Sequence, residues 1–154
     1  MRRELAALIL MSTLGCGRSS LVTSPTVSPP SDKLVTVSGP LTLTVTDFAT
    51  NPGVMWVLPG AQGGAGSVSA QAIRYGSLCA MTVTGRADIA GSRVSLHVGY
   101  SPRSGAVCTT EIRAIKYDAV IAGLSPGRYE VHIFHSSGDA SDEAEVRVQT
   151  VDVT

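Results

Sequence analysis

Histidines and carboxylates bind metals and move protons near neutral pH, and this chain carries a small set of both in its second half. His97 in VSLHVGY and His132 in RYEVHIF fall at positions that alternate away from the apolar residues of their segments, and His135 follows at the end of the second. If the two segments are neighbouring strands, His97 and His132 lie close on one outer surface. A metal centre needs a third and usually a fourth ligand, and the sequence sets out none, so solvated strand histidines are the expectation and no metal ligand is assigned. Asp139, Asp142 and Glu143 in HSSGDASDE are oxygen ligands of the kind calcium takes. The run lacks the ligand order of a calcium loop and reads as a solvated acidic connection. Serines are plentiful, but there is no G-x-S-x-G and no Ser/His/Asp set, so no catalytic residue is assigned and a non-enzymatic protein is expected. The glycine-rich PGAQGGAGS (59–67) lacks the G-K-[ST] ending of a phosphate-binding loop and reads as a flexible connection, with no cofactor implied. Trp56, Tyr75 and Tyr100 are the aromatic residues able to form a sugar-stacking platform, although in a chain of this size core positions suit them better.

These side chains need a scaffold, and length and composition limit which one. The 154 residues suffice for one domain with short appendages. Lys and Arg number 12 and Asp and Glu number 12, so there is no clustered positive charge for nucleic acid, and no nucleic-acid partner is expected. Only 16% of residues are charged, and long Glu/Lys/Leu-rich amphipathic runs are missing. A helical bundle is therefore disfavoured, and an all-β protein is expected.

At the N-terminus, Arg2 and Arg3 precede an apolar segment from Leu5 to Leu14, interrupted by Ser12 and Thr13, with Gly15 and Cys16 next. Crossing a bilayer takes about 20 apolar residues, so this segment is a leader and not a permanent span. The stretch resembles a bacterial lipoprotein signal, in which a small residue precedes a cysteine that is lipidated. The family usually has Leu three positions before that cysteine and a small residue two before it, where this chain has Thr13 and Leu14. The resemblance implies residues 1–15 as signal peptide, Cys16 as the acylated N-terminus, and a cell-envelope protein lipid-anchored to a membrane and facing the periplasm or exterior. An ordinary secretory leader cut elsewhere is the alternative, and the absence of an A-x-A site counts against it. Residues 16–33, rich in Ser, Thr and Pro, favour extended polyproline II and read as a disordered tether.

From Leu34 to the C-terminus the hydrophobic period is two, which marks residues 34–154 as a β domain. Leu41, Leu43 and Val45 form one face of LTLTVT, and VMWVL (54–58) reads as a short apolar strand. Cys79 to Ile89 on odd positions and Val94 to Tyr100 on even positions read as a long hairpin about Ala90-Gly91-Ser92. Ile115, Tyr117, Ala119 and Ile121 form another row, as do Tyr129, Val131 and Ile133, and Ala144, Val146 and Val148 are expected inward on the last strand. Seven to nine such strands predict a sandwich.

GLSPGRYEV (123–131) resembles the corner before the sixth strand of immunoglobulin-like and fibronectin type III domains, a likeness covering Gln71 to Val153. It implies an immunoglobulin-like β-sandwich in which Leu124 plugs the core, Pro126 and Gly127 turn the chain, and Tyr129 bonds back to the backbone. If Cys16 is modified, Cys79 and Cys108 remain as the one possible pair, and the hairpin brings them within reach of each other. A disulfide is expected there, with two buried free thiols as the alternative. Closing that loop stabilises by about 3.6 kcal/mol in the chain-entropy model and implies an oxidising compartment. The expected role is a non-catalytic binding or structural module with an unknown protein or glycan ligand, or alternatively a carbohydrate-binding or protease-inhibitor-like domain. Contacts are expected from the loops at one end, including 135–143.

Overall fold

The computed structural model describes residues 32–49, 57–77, 79–105, 108, 113–137 and 142–154. The leader, Cys16 and the tether up to residue 31 lie outside the described residues, and Asp32 and Lys33 already belong to the first strand. Nine strands follow one another: β1 (Asp32–Ser38), β2 (Leu41–Ala49), β3 (Val57–Gly64), β4 (Ser67–Ser77), β5 (Met81–Ala90), β6 (Arg93–Pro102), β7 (Arg113–Ala122), β8 (Gly127–Ser137) and β9 (Ala144–Val153). They form a five-stranded sheet in the order β1-β2-β7-β4-β3 and a four-stranded sheet in the order β5-β6-β8-β9. This is the all-β sandwich that the alternation predicts, and it is consistent with an immunoglobulin-like arrangement. Among the described residues no helix is long and apolar enough to cross a membrane.

All pairings are antiparallel except that of β6 with β8. The reason lies in the connectivity. After β6 the chain crosses to the other sheet as β7, which runs back, so the return to β8 starts at the end where β6 began. Connections at that end are short, namely 39–40, 65–66, 91–92 and 123–126, while 50–56, 78–80, 103–112 and 138–143 leave from the other end. Gly91 takes a φ of 60° in the hairpin turn between β5 and β6, a conformation that glycine adopts without a Cβ clash.

The inward rows meet between the sheets. Leu41, Leu43, Val68, Tyr117 and Ile121 from one sheet face Val94, Leu96, Val98, Val131 and Ile133 from the other, all fully buried. Each such side chain stabilises by about 1.5–3 kcal/mol relative to exposure. The corner forms as its residues imply. Leu124 enters the core, and the Tyr129 hydroxyl donates to the Ser125 carbonyl at 3.0 Å. Cys79 and Cys108 are disulfide-bonded, and the hairpin ladder extends beside them through the Arg103 N–H to the Ala80 carbonyl.

Two readings of the sequence need correction. Ala144, Val146 and Val148 are all exposed, the two valines at 40% and 44%, and the inward residues of β9 are Val151 and Val153. Val148 pairs with the outward His132, in step with Val151 and Val153, and only residues before Arg147 lie beyond the register irregularity at Ile133/Phe134. The second correction concerns PGAQGGAGS, most of which is strand β3 and not a loop. One of its glycines permits a close approach: a Cβ on Gly63 would stand 1.9 Å from the Asp152 carbonyl oxygen of β9. There the edges of the two sheets meet, with the Thr154 N–H donating to the Gly64 carbonyl and the Gly66 N–H to Thr154. Gln149 extends this seam, because its side-chain amide accepts from the Ala61 N–H at 3.2 Å and donates to the Ala61 carbonyl at 2.8 Å. One side chain thereby satisfies both outward backbone groups of an edge-strand residue. Pro59 is tolerated in β3 because it falls at a register shift on the edge.

Gly63→Ala should therefore destabilise the fold by roughly 1–3 kcal/mol in urea unfolding, since backbone must move to admit the methyl group. Gly60→Ala, whose Cβ meets nothing within 4 Å, should stay within about 0.5 kcal/mol of the native chain.

Candidate functional site

The inward rows are apolar at the short-turn end and change character at the other. Following Leu41, Leu43 and Val45 on β2 comes Asp47; after Val68, Ala70 and Ala72 on β4 comes Arg74. Tyr100 ends the row of β6, His135 ends that of β8, and β7 opens with Arg113 and Tyr117 at the same level. Strand pairing thus brings six titratable side chains to one end of the sandwich. Asp47, 5% exposed, accepts from Arg113 Nε at 2.9 Å, so that pair is satisfied. His135 Nε2 and the Tyr117 hydroxyl are hydrogen-bonded at 3.1 Å, and the His135 ring lies edge-on to Tyr100 and Tyr117. The Arg74 guanidinium sits over the Tyr100 ring, 4.6 Å from its centre, and donates to Ser137 Oγ at 2.8 Å. Burial raises both tyrosines well above their ordinary range. Burial, helped by the Arg74 charge, lowers His135 to about 4, so its ring is neutral at physiological pH.

Beside this cluster the sandwich opens. A cleft of about 450 Å³ lies between β3 and β4 on one side and the start of β9 on the other, lined by Val57, Leu58, Ile73 and Val146 with Arg74 and His135. Leu58 is 77% exposed at its mouth. Arg74 has no carboxylate partner among the described residues, for its contacts are Ser137 and the Tyr100 ring alone. An apolar cleft with a few converging polar groups has the ordinary make-up of a ligand site. Sequence reading missed it: Tyr100 reads as the end of its apolar row and His135 as the start of a loop, while Arg74 comes one step past Val68, Ala70 and Ala72, a row not traced in the sequence.

The two histidines expected on the outer surface are there, on neighbouring strands, but they are not solvated, His132 being only 8% exposed, and they do not converge. Phe134 stands between them, stacked on His97 at 4.8 Å and on His132 at 6.3 Å between ring centres. Each imidazole holds its own carboxylates. His97 Nδ1 meets Glu143 Oε1 at 2.8 Å and its Nε2 lies 3.4 Å from Asp88 Oδ2. His132 Nδ1 meets Glu145 Oε2 at 2.7 Å and its Nε2 meets Glu130 Oε1 at 2.6 Å, with Arg93 Nη2 3.3 Å from Nδ1. Among the described residues no three ligating side chains come together as a metal site. Glu143 belongs to His97, Asp142 stands on the rim of the cleft, and Asp139 lies outside the described residues. Of the aromatic trio, Tyr100 is 1% exposed and unavailable to a sugar, while Trp56 and the ring of Tyr75 lie outside the described residues. Family models, curated proteins and solved structures compared with the chain give no match.

The outer clamp has a pH signature. Hydrogen bonds to Glu145 and then Glu130 raise His132 above its ordinary 6.5, against its partial burial and the Arg93 charge. Stability from this group is full below 6.5 and is lost as the pH rises through the raised folded value. His135 acts with the opposite sign: its contribution is present above 6.5 and is lost as the pH falls through about 4. His132→Gln should therefore cost more stability at about pH 5.5 than at about pH 8.5, read as the shift in urea midpoint against the native chain. An equal cost at both pH values would refute the clamp.

Proposed function

We propose that the protein is a cell-envelope lipoprotein, anchored through acylated Cys16, whose sandwich is a non-catalytic binding module. Three features support the anchoring. The leader is too short to span a membrane, a Ser/Thr/Pro-rich segment separates Cys16 from β1, and the Cys79–Cys108 bond suits an oxidising compartment. Each methylene buried in the bilayer contributes about 0.8 kcal/mol, so more than one acyl chain gives a firm anchor. The observation that carries the binding role is the gathering of the three longest connections, the polar end of the core and the cleft at one end of a rigid sandwich. β1 starts at that same end.

Anchoring is checked by intact mass. Protein extracted from membranes should carry acyl mass on Cys16, and Cys16→Ala should lose both that mass and membrane retention. Unchanged mass and retention would refute the anchor. Binding is checked separately by replacing 138–143 with a Gly/Ser segment of equal length. Envelope components captured by the native chain should then be lost, and capture that survives the exchange would remove this end from the contact surface.

A further inference from the structure

We propose that the cleft between β3–β4 and the start of β9 binds a small organic carboxylate with an apolar body, the carboxylate on Arg74 and the body against Leu58, Ala144 and Val146. The proposal deepens the binding-module reading by naming a ligand class, and it does not depend on the lipid anchor. Its first support is size, because about 450 Å³ falls within the range of small-molecule sites. The second is charge. Arg74 is half-buried, never loses its proton, and has no carboxylate among the described residues. A guanidinium offers five N–H donors in a planar fork, and the Ser137 bond uses one of them. The Tyr100 ring beneath the guanidinium helps hold it in place, and its remaining N–H donors can take a carboxylate in bidentate fashion.

The remaining lining fits an organic acid better than an inorganic anion. Leu58, Pro59, Ala144 and Val146 give a wall that a phosphate or sulfate would leave uncovered. His135 is neutral there, so one fixed positive charge faces the ligand, which matches a monoanion. Asp142 on the rim opposes an anion and should limit affinity.

The test is titration of the purified full chain with hexanoate, and with hexanamide as its neutral isostere, followed by amide chemical shifts. Hexanoate should give saturable shifts at Ile73, His135 and Val146, and hexanamide should bind at least about ten-fold more weakly. Arg74→Gln should weaken hexanoate by at least about ten-fold, Asp142→Asn should tighten it a few-fold, and His97→Ala on the outer face should leave it unchanged. Equal binding of hexanamide and hexanoate to the native chain, or saturable shifts confined to other surfaces, would overturn the proposal. The isostere comparison needs no variant, so it stands even if Arg74→Gln perturbs folding. Failure here with 138–143 still required for capture would reject the carboxylate while leaving the binding module intact.

Discussion

Side chains of a strand alternate between its two faces, so an inward row that begins apolar must end somewhere, and here the rows end in titratable groups at one level of the sandwich. That constraint governs the long-connection end. Asp47, Arg74, Tyr100, Arg113, Tyr117 and His135 cannot all leave the interior, because strand pairing fixes their direction. Burying an unpaired polar group costs about 1–3 kcal/mol, so the cluster settles by pairing. Asp47 takes Arg113, Tyr117 takes His135, and His135 gives up its charge. Arg74 cannot give up its charge, and it rests on an aromatic face with one neutral acceptor. The unspent donors of the site are therefore the Arg74 guanidinium and the buried Tyr100 hydroxyl, which has no partner among the described residues.

The position of the cleft follows from how the two sheet edges are joined. Near the C-terminus β3 and β9 touch backbone to backbone, which Gly63 permits and the Gln149 amide extends. Toward the other end both edges lose regular pairing, β3 between Val57 and Gly60 and β9 opposite Ile133/Phe134. Irregular pairing bends a strand away from its partner, and the cleft lies where the two bends coincide. A seam closed at one end and parted at the other exposes Leu58 and Val146 without disturbing the core.

Much of the fold was legible in the sequence because strand period and turn chemistry are local. The rows on β2, β5 to β8 and the corner at Tyr129 could be read residue by residue, and the cysteine pair followed from the hairpin. What misled was non-local. PGAQGGAGS has the composition of a loop, and only the proximity of β9, some ninety residues later, makes its glycines strand residues. β9 carries valines on both faces, Val146 and Val148 outward and Val151 and Val153 inward, so its apolar pattern alone does not settle which face meets the core. His97 and His132 were placed on the right surface, but the ring of Phe134 between them could be known only from the register of β6 with β8. The cleft residues were hidden for a simpler reason: Arg74 and His135 read as the ends of strands, where polar side chains ordinarily meet water.

Two histidines three residues apart on one strand are driven in opposite directions, and the difference separates a structural role from a binding one. His132 faces outward, where Glu130 on its own strand and Glu145 on β9 favour the charged ring. Its clamp ties β9 to β8 beside the irregularity that opens the cleft, so the charged ring steadies one wall of the cleft from outside. His135 faces inward, where burial and Arg74 favour the neutral ring. A charged His135 would stand beside Arg74 as a second cation and raise the cost of holding either without an anion. Neutral, it can hold Tyr117 in place while Arg74 alone sets the charge that a ligand meets.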